Sequence, residues 1–269
     1  MAVAASIACA GTLFAASVYV ASEWRLRRTH DAPLESLAPG PTDLAAGRHM
    51  AELVGCWAGC HGREGGGGTV TIKDWVQITA PALAQALPAY SDEQLVRLIR
   101  YGVKRDGTSA IGMSSYTFWT LGGEDLRNIV AFVRAQPAAP VMQRRLDLPF
   151  RARLALARGK WKVSADEVDR RIPRWGDLPR RSIFERGRYL ASVVCAECHG
   201  TDFRGNLVQG GPSLAVVAAY GPAEFQRLLR TGLAIGGRAI PDMSWMAQVH
   251  FDEGEISDLY GFLREYHHR

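Results

Sequence analysis

Residues 54–62 run VGCWAGCHG, and residues 193–200 run VVCAECHG. Each segment sets a histidine directly behind the second of two close cysteines. Three residues separate the first pair and two separate the second. Two thiols one helical turn apart, followed at once by an imidazole, have the spacing of covalent haem attachment. The sulfurs form thioethers with the vinyl groups on one porphyrin edge, and the histidine turns inward to bind the iron. Cys195, Cys198 and His199 have that spacing without alteration. Between Cys56 and Cys60, ahead of His61, the extra residue lengthens the path, so a regular turn overshoots the second vinyl. Gly55 and Gly59 flank the insertion and can take backbone angles closed to other residues, so a local bulge is expected to absorb it. Attachment through Cys60 alone would still leave His61 on the iron.

Other chemistries fit these cysteines less well. A disulfide framework spreads its cysteines to join distant loops, whereas four of the five here form two tight pairs and the fifth, Cys9, lies in an apolar N-terminal stretch. Structural zinc needs four ligands in one place, and each motif supplies two cysteines and one histidine. A thioredoxin-like pair expects a βαβ setting that the pattern lacks.

The elements around the motifs are written twice. YSDEQLVRLIRYG (90–102) matches YGPAEFQRLLRTG (220–232) at an offset of 130 residues, and Met113, Leu126 and Phe132 fall on Met243, Ile256 and Phe262 at the same offset. Upstream, GRHMAELVGCWAGCHG (47–62) matches GRYLASVVCAECHG (187–200). The chain therefore divides into segment 1–28, a first copy at 42–137, a connector at 138–182 and a second copy at 183–269. Apolar residues recur at helical spacing before each cysteine pair, around 91–101 and 222–231, and in a closing helix of each copy. Asp43 and Ser182 stand where the helices leading into the motifs should begin. The fold class expected is all-α: two tandem domains, each of three to four helices around a covalently bound haem, behind an N-terminal transmembrane helix.

The sixth iron ligand follows by elimination in the first copy. Between Gly62 and Pro137 the only histidine or methionine is Met113, with Lys73 and Lys104 as remote alternatives that must first lose a proton. The second copy offers Met243, Met246, His250, His267 and His268, and the repeat register selects Met243. Histidine ligation through His250 is the main competitor, and core filling by the methionines is the bland alternative. Methionine opposite histidine favours reduced iron.

On GCWAGCHG, VCAECHG, the segments IGMSSY and PDMSW and the closing helices, the chain resembles bacterial class I-like dihaem cytochromes c, including membrane-anchored subunits that serve periplasmic dehydrogenases and oxidases. The resemblance spans both copies. It implies two covalent haem c groups and single-electron transport between donor and acceptor proteins, with no substrate transformed by the chain itself. A dihaem peroxidase, with one iron open, is the enzymatic alternative. An obligate cytochrome subunit of an alcohol, sugar or aldehyde dehydrogenase complex is the other.

The first 22 residues carry no charged side chain and, as a helix, span roughly 33 Å, enough to cross a bilayer. An uncleaved anchor in the inner membrane is expected, with the domains on its periplasmic side. Cleavage near Val20-Ala21-Ser22, giving a soluble periplasmic protein, is the alternative. Arg25, Arg27 and Arg28 follow the segment, an arrangement opposite to the usual charge bias for export. The formal charge of +5 is concentrated between 141 and 188, where fourteen basic residues face six acidic ones. That stretch is read either as a solvated connector or as a docking surface for an acidic partner or anionic lipid. Within it, LPFRARLALARGKW forms a short amphipathic helix that packs on the domains or lies on a membrane. No nucleic-acid motif is present. REGGGG (63–68) lacks the ending of a phosphate loop and is expected to be a flexible loop beside the haem, with Trp57, Trp75, Trp119 and Trp245 packing around the haems.

Overall fold

The computed structural model describes residues 2–57, 59–72, 76–137, 146–206, 210–241, 243, 246 and 249–266. Lys73, Trp75, Trp245, His267 and His268 lie outside the described residues. Helix α1 (Ala2–Arg27) is followed by α2 (Leu44–Leu53), strands β1 (Gly68–Ile72) and β2 (Val76–Ala80), α3 (Asp92–Tyr101) and α4 (Gly123–Arg134). The connector contributes β3 (Leu146–Asp147) and α5 (Phe150–Ala157). The second copy holds α6 (Ile183–Leu190), α7 (Pro222–Thr231) and α8 (Glu253–Tyr266). The fold is mostly helical, but the all-α expectation needs correcting, because β1, β2 and β3 form an antiparallel sheet in that order. The β-branched residues of GTVTI and VQITA suit an extended hairpin.

Caps fix where the helices start. Asp43 accepts hydrogen bonds from the backbone of Ala45 and Ala46 at the head of α2. Ser182 and Glu185 form a reciprocal capping box on α6. Gly102 and Gly232 end α3 and α7 with φ of 67° and 69°, each donating its N–H to the leucine carbonyl four residues back.

The entry and closing helices of each copy meet at a glycine. A methyl carbon at Gly47 would lie 2.1 Å from the Asn128 carbonyl oxygen of α4, and one at Gly187 would lie 2.0 Å from that of Asp258 in α8. Phe132 and Phe262 pack beside these crossings at equivalent places. The buried core runs continuously through residues of both halves, from Met50 to Leu263. Tyr189 of α6 is buried and donates its hydroxyl to Asp125 of α4 at 2.6 Å, and Ser192 bonds Thr120 at 3.0 Å.

The described part of the connector is solvated at Arg158, Lys160, Lys162 and Arg171 but packed at other positions. Arg174 pairs with Glu35 and lies over the Trp119 ring, Arg180 pairs with Asp125 and lies over Tyr189, and Arg188 lies over Trp175. Guanidinium groups on aromatic faces hold the connector to both halves. Trp119, expected beside a haem, instead packs with Tyr101 and Val103 against Ala165, Val168 and Ile172 of the connector. The stretch Ser6–Arg27 is long and apolar enough to cross a membrane.

Candidate metal centres

Each copy delivers its cysteine pair from the end of a helix, by a different route. After α6 the backbone widens into one π-helical turn, Ala191–Cys195, and then a short helix, Ala196–His199. The wider turn carries Cys195, Cys198 and His199 without a break in the helical path. After α2 the chain breaks at Gly55, which takes φ 71°. Trp57 N–H then reaches back to the Ala51 carbonyl at 2.9 Å, and Cys60 N–H bonds the Gly55 carbonyl at 3.2 Å. A methyl carbon at Gly59 would lie 2.2 Å from the Gly55 oxygen. The two glycines thus close the bulge that the longer spacing demands.

Beyond the cysteines the copies converge. His61 Nδ1 lies 2.8 Å from the Pro81 carbonyl oxygen, and His199 Nδ1 lies 2.7 Å from that of Pro212. Burial pushes both imidazoles below their ordinary value, while the carbonyl bond works the other way. A neutral imidazole that donates Nδ1–H to a carbonyl keeps the Nε2 lone pair for a metal. His61 stands 20 residues before its carbonyl partner and His199 stands 13 before its own. The longer path in the first copy contains the β1–β2 hairpin, which ends immediately before Pro81. In the second copy an antiparallel bridge between Asn206 and Gly211 precedes Pro212. REGGGG is therefore the approach to this hairpin, and Gly68 and Gly211 both bring backbone against the carbonyl of the second cysteine.

Met113 and Met243 are partly buried and pack against the main core. Their loops close alike: Ala110 N–H bonds the Gly102 carbonyl at 2.7 Å and Ile240 N–H bonds that of Gly232 at 2.9 Å. Met246 is buried in the core, Lys104 is half-buried, and His250 is exposed. Trp57 is buried edge-on against Phe132, their ring centroids 4.9 Å apart.

Burial pushes Cys56 up to about 12, Cys60 to about 11 and Cys195 to about 12. Burial thus favours the neutral thiol at all three positions. Among the described residues, the metal-ligand cluster of three consists of His49, Asp252 and Glu255 and includes no cysteine. The charge of Glu197, which sits between Cys195 and Cys198, adds to the elevation of Cys56 and Cys60. Tyr116 of the first copy donates its hydroxyl to the Glu197 carbonyl at 3.0 Å. Tyr116 thus ties the second cysteine motif to the first copy.

These donors fit a covalently held haem. The thiols are paired, the histidines are neutral with one nitrogen fixed, and a thioether side chain lies in register in each copy. Residues 54–133 match the family model described as cytochrome c oxidase, cbb3-type, subunit III. No curated protein matches the chain. The match spans the copy with the longer cysteine spacing and includes Met113. It supports a c-type cytochrome with covalent haem c, handling electrons with redox partners.

Proposed function

We propose that the chain is a membrane-anchored dihaem c-type cytochrome that passes single electrons from a donor protein to a respiratory acceptor on the periplasmic side of the inner membrane. Two cytochrome c-like domains, 42–137 and 183–269, are joined by the connector 138–182 and tethered by segment 1–28. His61 with Met113 and His199 with Met243 are the axial pairs, and Cys56, Cys60, Cys195 and Cys198 are the attachment points. The carrying observation is the repeated bond from a motif histidine Nδ1 to a proline carbonyl, at 2.8 Å and 2.7 Å. Bound haem supplies an iron that cycles between ferric and ferrous states.

The chain's own residues do the rest. The proline carbonyls orient the imidazoles, and the methionines favour the reduced state. The exposure of His250 favours Met243 in the second copy. Retention of α1 is supported by its packing, since Ser22 has 0% exposure and accepts a hydrogen bond from Arg153 at 3.1 Å. Cleavage after Ser22 would strip that seam. The proximity of Glu197 to the first motif supports electron exchange between the two centres.

A potentiometric titration of the holoprotein tests this reading. Two one-electron waves, with no turnover of peroxide by the reduced protein, are expected; sustained peroxide reduction would mean an open iron and a peroxidase. The oxidase-subunit description of the matched family supports a second reading, a fixed subunit of a membrane-bound complex. Co-purification of stoichiometric partner subunits from gently solubilised membranes distinguishes it from a free carrier.

A further inference from the structure

We infer that Ser164 of the connector is a positioning residue for Met113, wedged into the loop that carries this methionine so that an outside ligand displaces it less readily than Met243. This rests on the reading of Met113 and Met243 as the iron ligands opposite His61 and His199.

The two methionine loops start alike and part at one point. Lys104 N–H bonds the Thr108 carbonyl at 2.8 Å, and Ala234 N–H bonds that of Arg238 at 2.8 Å. Gly107 N–H bonds the Lys104 carbonyl at 3.0 Å, and Gly237 N–H bonds that of Ala234 at 3.0 Å. One antiparallel bridge pins each loop, Val103 with Ser109 and Leu233 with Ala239. The difference comes on the approach to the methionine. In the second copy Met243 N–H bonds the Ile240 carbonyl at 2.9 Å, closing a turn within the loop. In the first copy Ser164 has entered that bond. Its N–H donates to the Ala110 carbonyl at 3.1 Å, and its Oγ accepts from Met113 N–H at 3.2 Å. A side chain 51 residues further along thus holds both groups that the second loop joins to each other.

The wedge is itself held. Ser164 has 0% exposure and begins the short helix Ser164–Glu167. Ala165 N–H donates to Ser109 Oγ at 2.9 Å, and that hydroxyl donates in turn to the Ala110 carbonyl at 2.7 Å. Ser109 is buried, and the second copy carries Ala239 in its place. A methyl carbon at Gly102 would lie 2.8 Å from Ala165 N and 2.9 Å from Ser164 Cβ, so the connector sits directly on this loop. Thr29 bridges Thr108, and His30 N–H bonds the Gly107 carbonyl at 2.9 Å. The equivalent loop of the second copy is bare at its tip. A methyl carbon at Gly236 or Gly237 would meet nothing within 4 Å, and Ile235, Arg238 and Ala239 are exposed.

Moving Met113 away must break hydrogen bonds among groups that the connector shields from water, whereas the Met243 turn lies beside an exposed tip. A ligand already fixed in place also loses less conformational freedom on binding, so Met113 competes better with an outside ligand.

Imidazole, which competes with methionine for ferric iron, tests this. In full-length holoprotein carrying Met243→Ala, the charge-transfer band of methionine on ferric haem reports Met113 alone. In Met113→Ala it reports Met243 alone. Half-loss of the band should need about tenfold more imidazole for Met113 than for Met243, the effect of one or two net hydrogen bonds. Adding Ser164→Ala to the Met243→Ala protein should lower the Met113 midpoint about fivefold. The same substitution in Met113→Ala should leave the distant Met243 midpoint within about twofold. Covalent haem content checks folding, and Ser109→Ala takes the place of Ser164→Ala if that variant fails to load haem. An unchanged Met113 midpoint would overturn the role of Ser164 and leave the axial ligands standing. Equal shifts at both methionines would mean general loosening and overturn it too. A Met243→Ala protein with no such band would show that Met113 is not on the iron, overturning the axial reading together with the inference.

Discussion

The two cysteine–histidine segments reach one histidine geometry over different backbones. In the second, a π-helical turn keeps the chain helical through His199; in the first, the chain breaks at Gly55 and closes on Gly59. Downstream, a hairpin in one copy and the Asn206–Gly211 bridge in the other each lead to a proline whose carbonyl holds the imidazole. What the copies share is the position of a few polar atoms and the glycine crossing beneath them. Loop length and even secondary structure vary as long as those atoms are delivered. The first copy has moved its complexity into glycines, and there it should be fragile.

That asymmetry can be broken directly. Gly59→Ala sets a methyl carbon 2.2 Å from the Gly55 oxygen and should open the bulge, lowering covalent haem from two per chain to one. Glu197→Ala, between the cysteines of the second copy, should keep both haems. Haem staining of denatured protein, with quantification by pyridine haemochrome, reads the difference.

The glycine crossings should respond alike where the motifs do not. Gly47→Ala and Gly187→Ala drive a methyl carbon to 2.1 Å and 2.0 Å from a helix carbonyl oxygen. Each should cost about 1–3 kcal/mol, seen as a lowered denaturation midpoint, because both helices must separate. A large inequality between them would mean the two crossings do not bear equal load.

The junction is the next level down. Tyr189→Phe removes the hydroxyl that Asp125 accepts and that Gly122 N–H contacts, leaving a carboxylate with one partner fewer. A loss of about 1–2 kcal/mol is expected, with faster hydrogen exchange along α4 and α6.

The smallest effect is pH-dependent. His49 of α2 bonds Glu255 of α8 at 2.7 Å, and that bond raises the imidazole above its ordinary value of 6.5, with Asp252 and Glu52 adding to it against the cost of burial. A raised folded value means the contribution is complete below about pH 6.5 and is lost as pH rises through the raised value. The pair is half exposed, so about 0.5 kcal/mol is at stake. Stability measured across that window should lose this slope in His49→Ala.

Much of the architecture was legible because it is written in residue identity. The cysteine–histidine pairs, the two methionines in register and the caps at Asp43 and Ser182 are side chains with positional chemistry, and both caps form as read. The bulge at Gly55 was legible for the same reason. The partners of His61 and His199 were not, because a backbone carbonyl carries no sequence signature and its place depends on the path from Gly62 to Pro81. The hairpin was hidden beneath the glycine run, although the β-branched residues of GTVTI and VQITA were the available signal. The connector misled through charge. Arginine counts do not say whether a guanidinium faces water or an aromatic ring, and here Arg174, Arg180 and Arg188 face rings.

The central claim is that both copies hold haem. Intact mass of the denatured full-length protein, alongside its pyridine haemochrome spectrum, measures it in one preparation. Two covalent haems per chain, with the absorption band shifted if Cys56 forms no thioether, are predicted. A single haem, retained in a Cys60→Ala/His61→Ala variant, would contradict the account and leave the first copy as a structural relic beside a one-haem carrier.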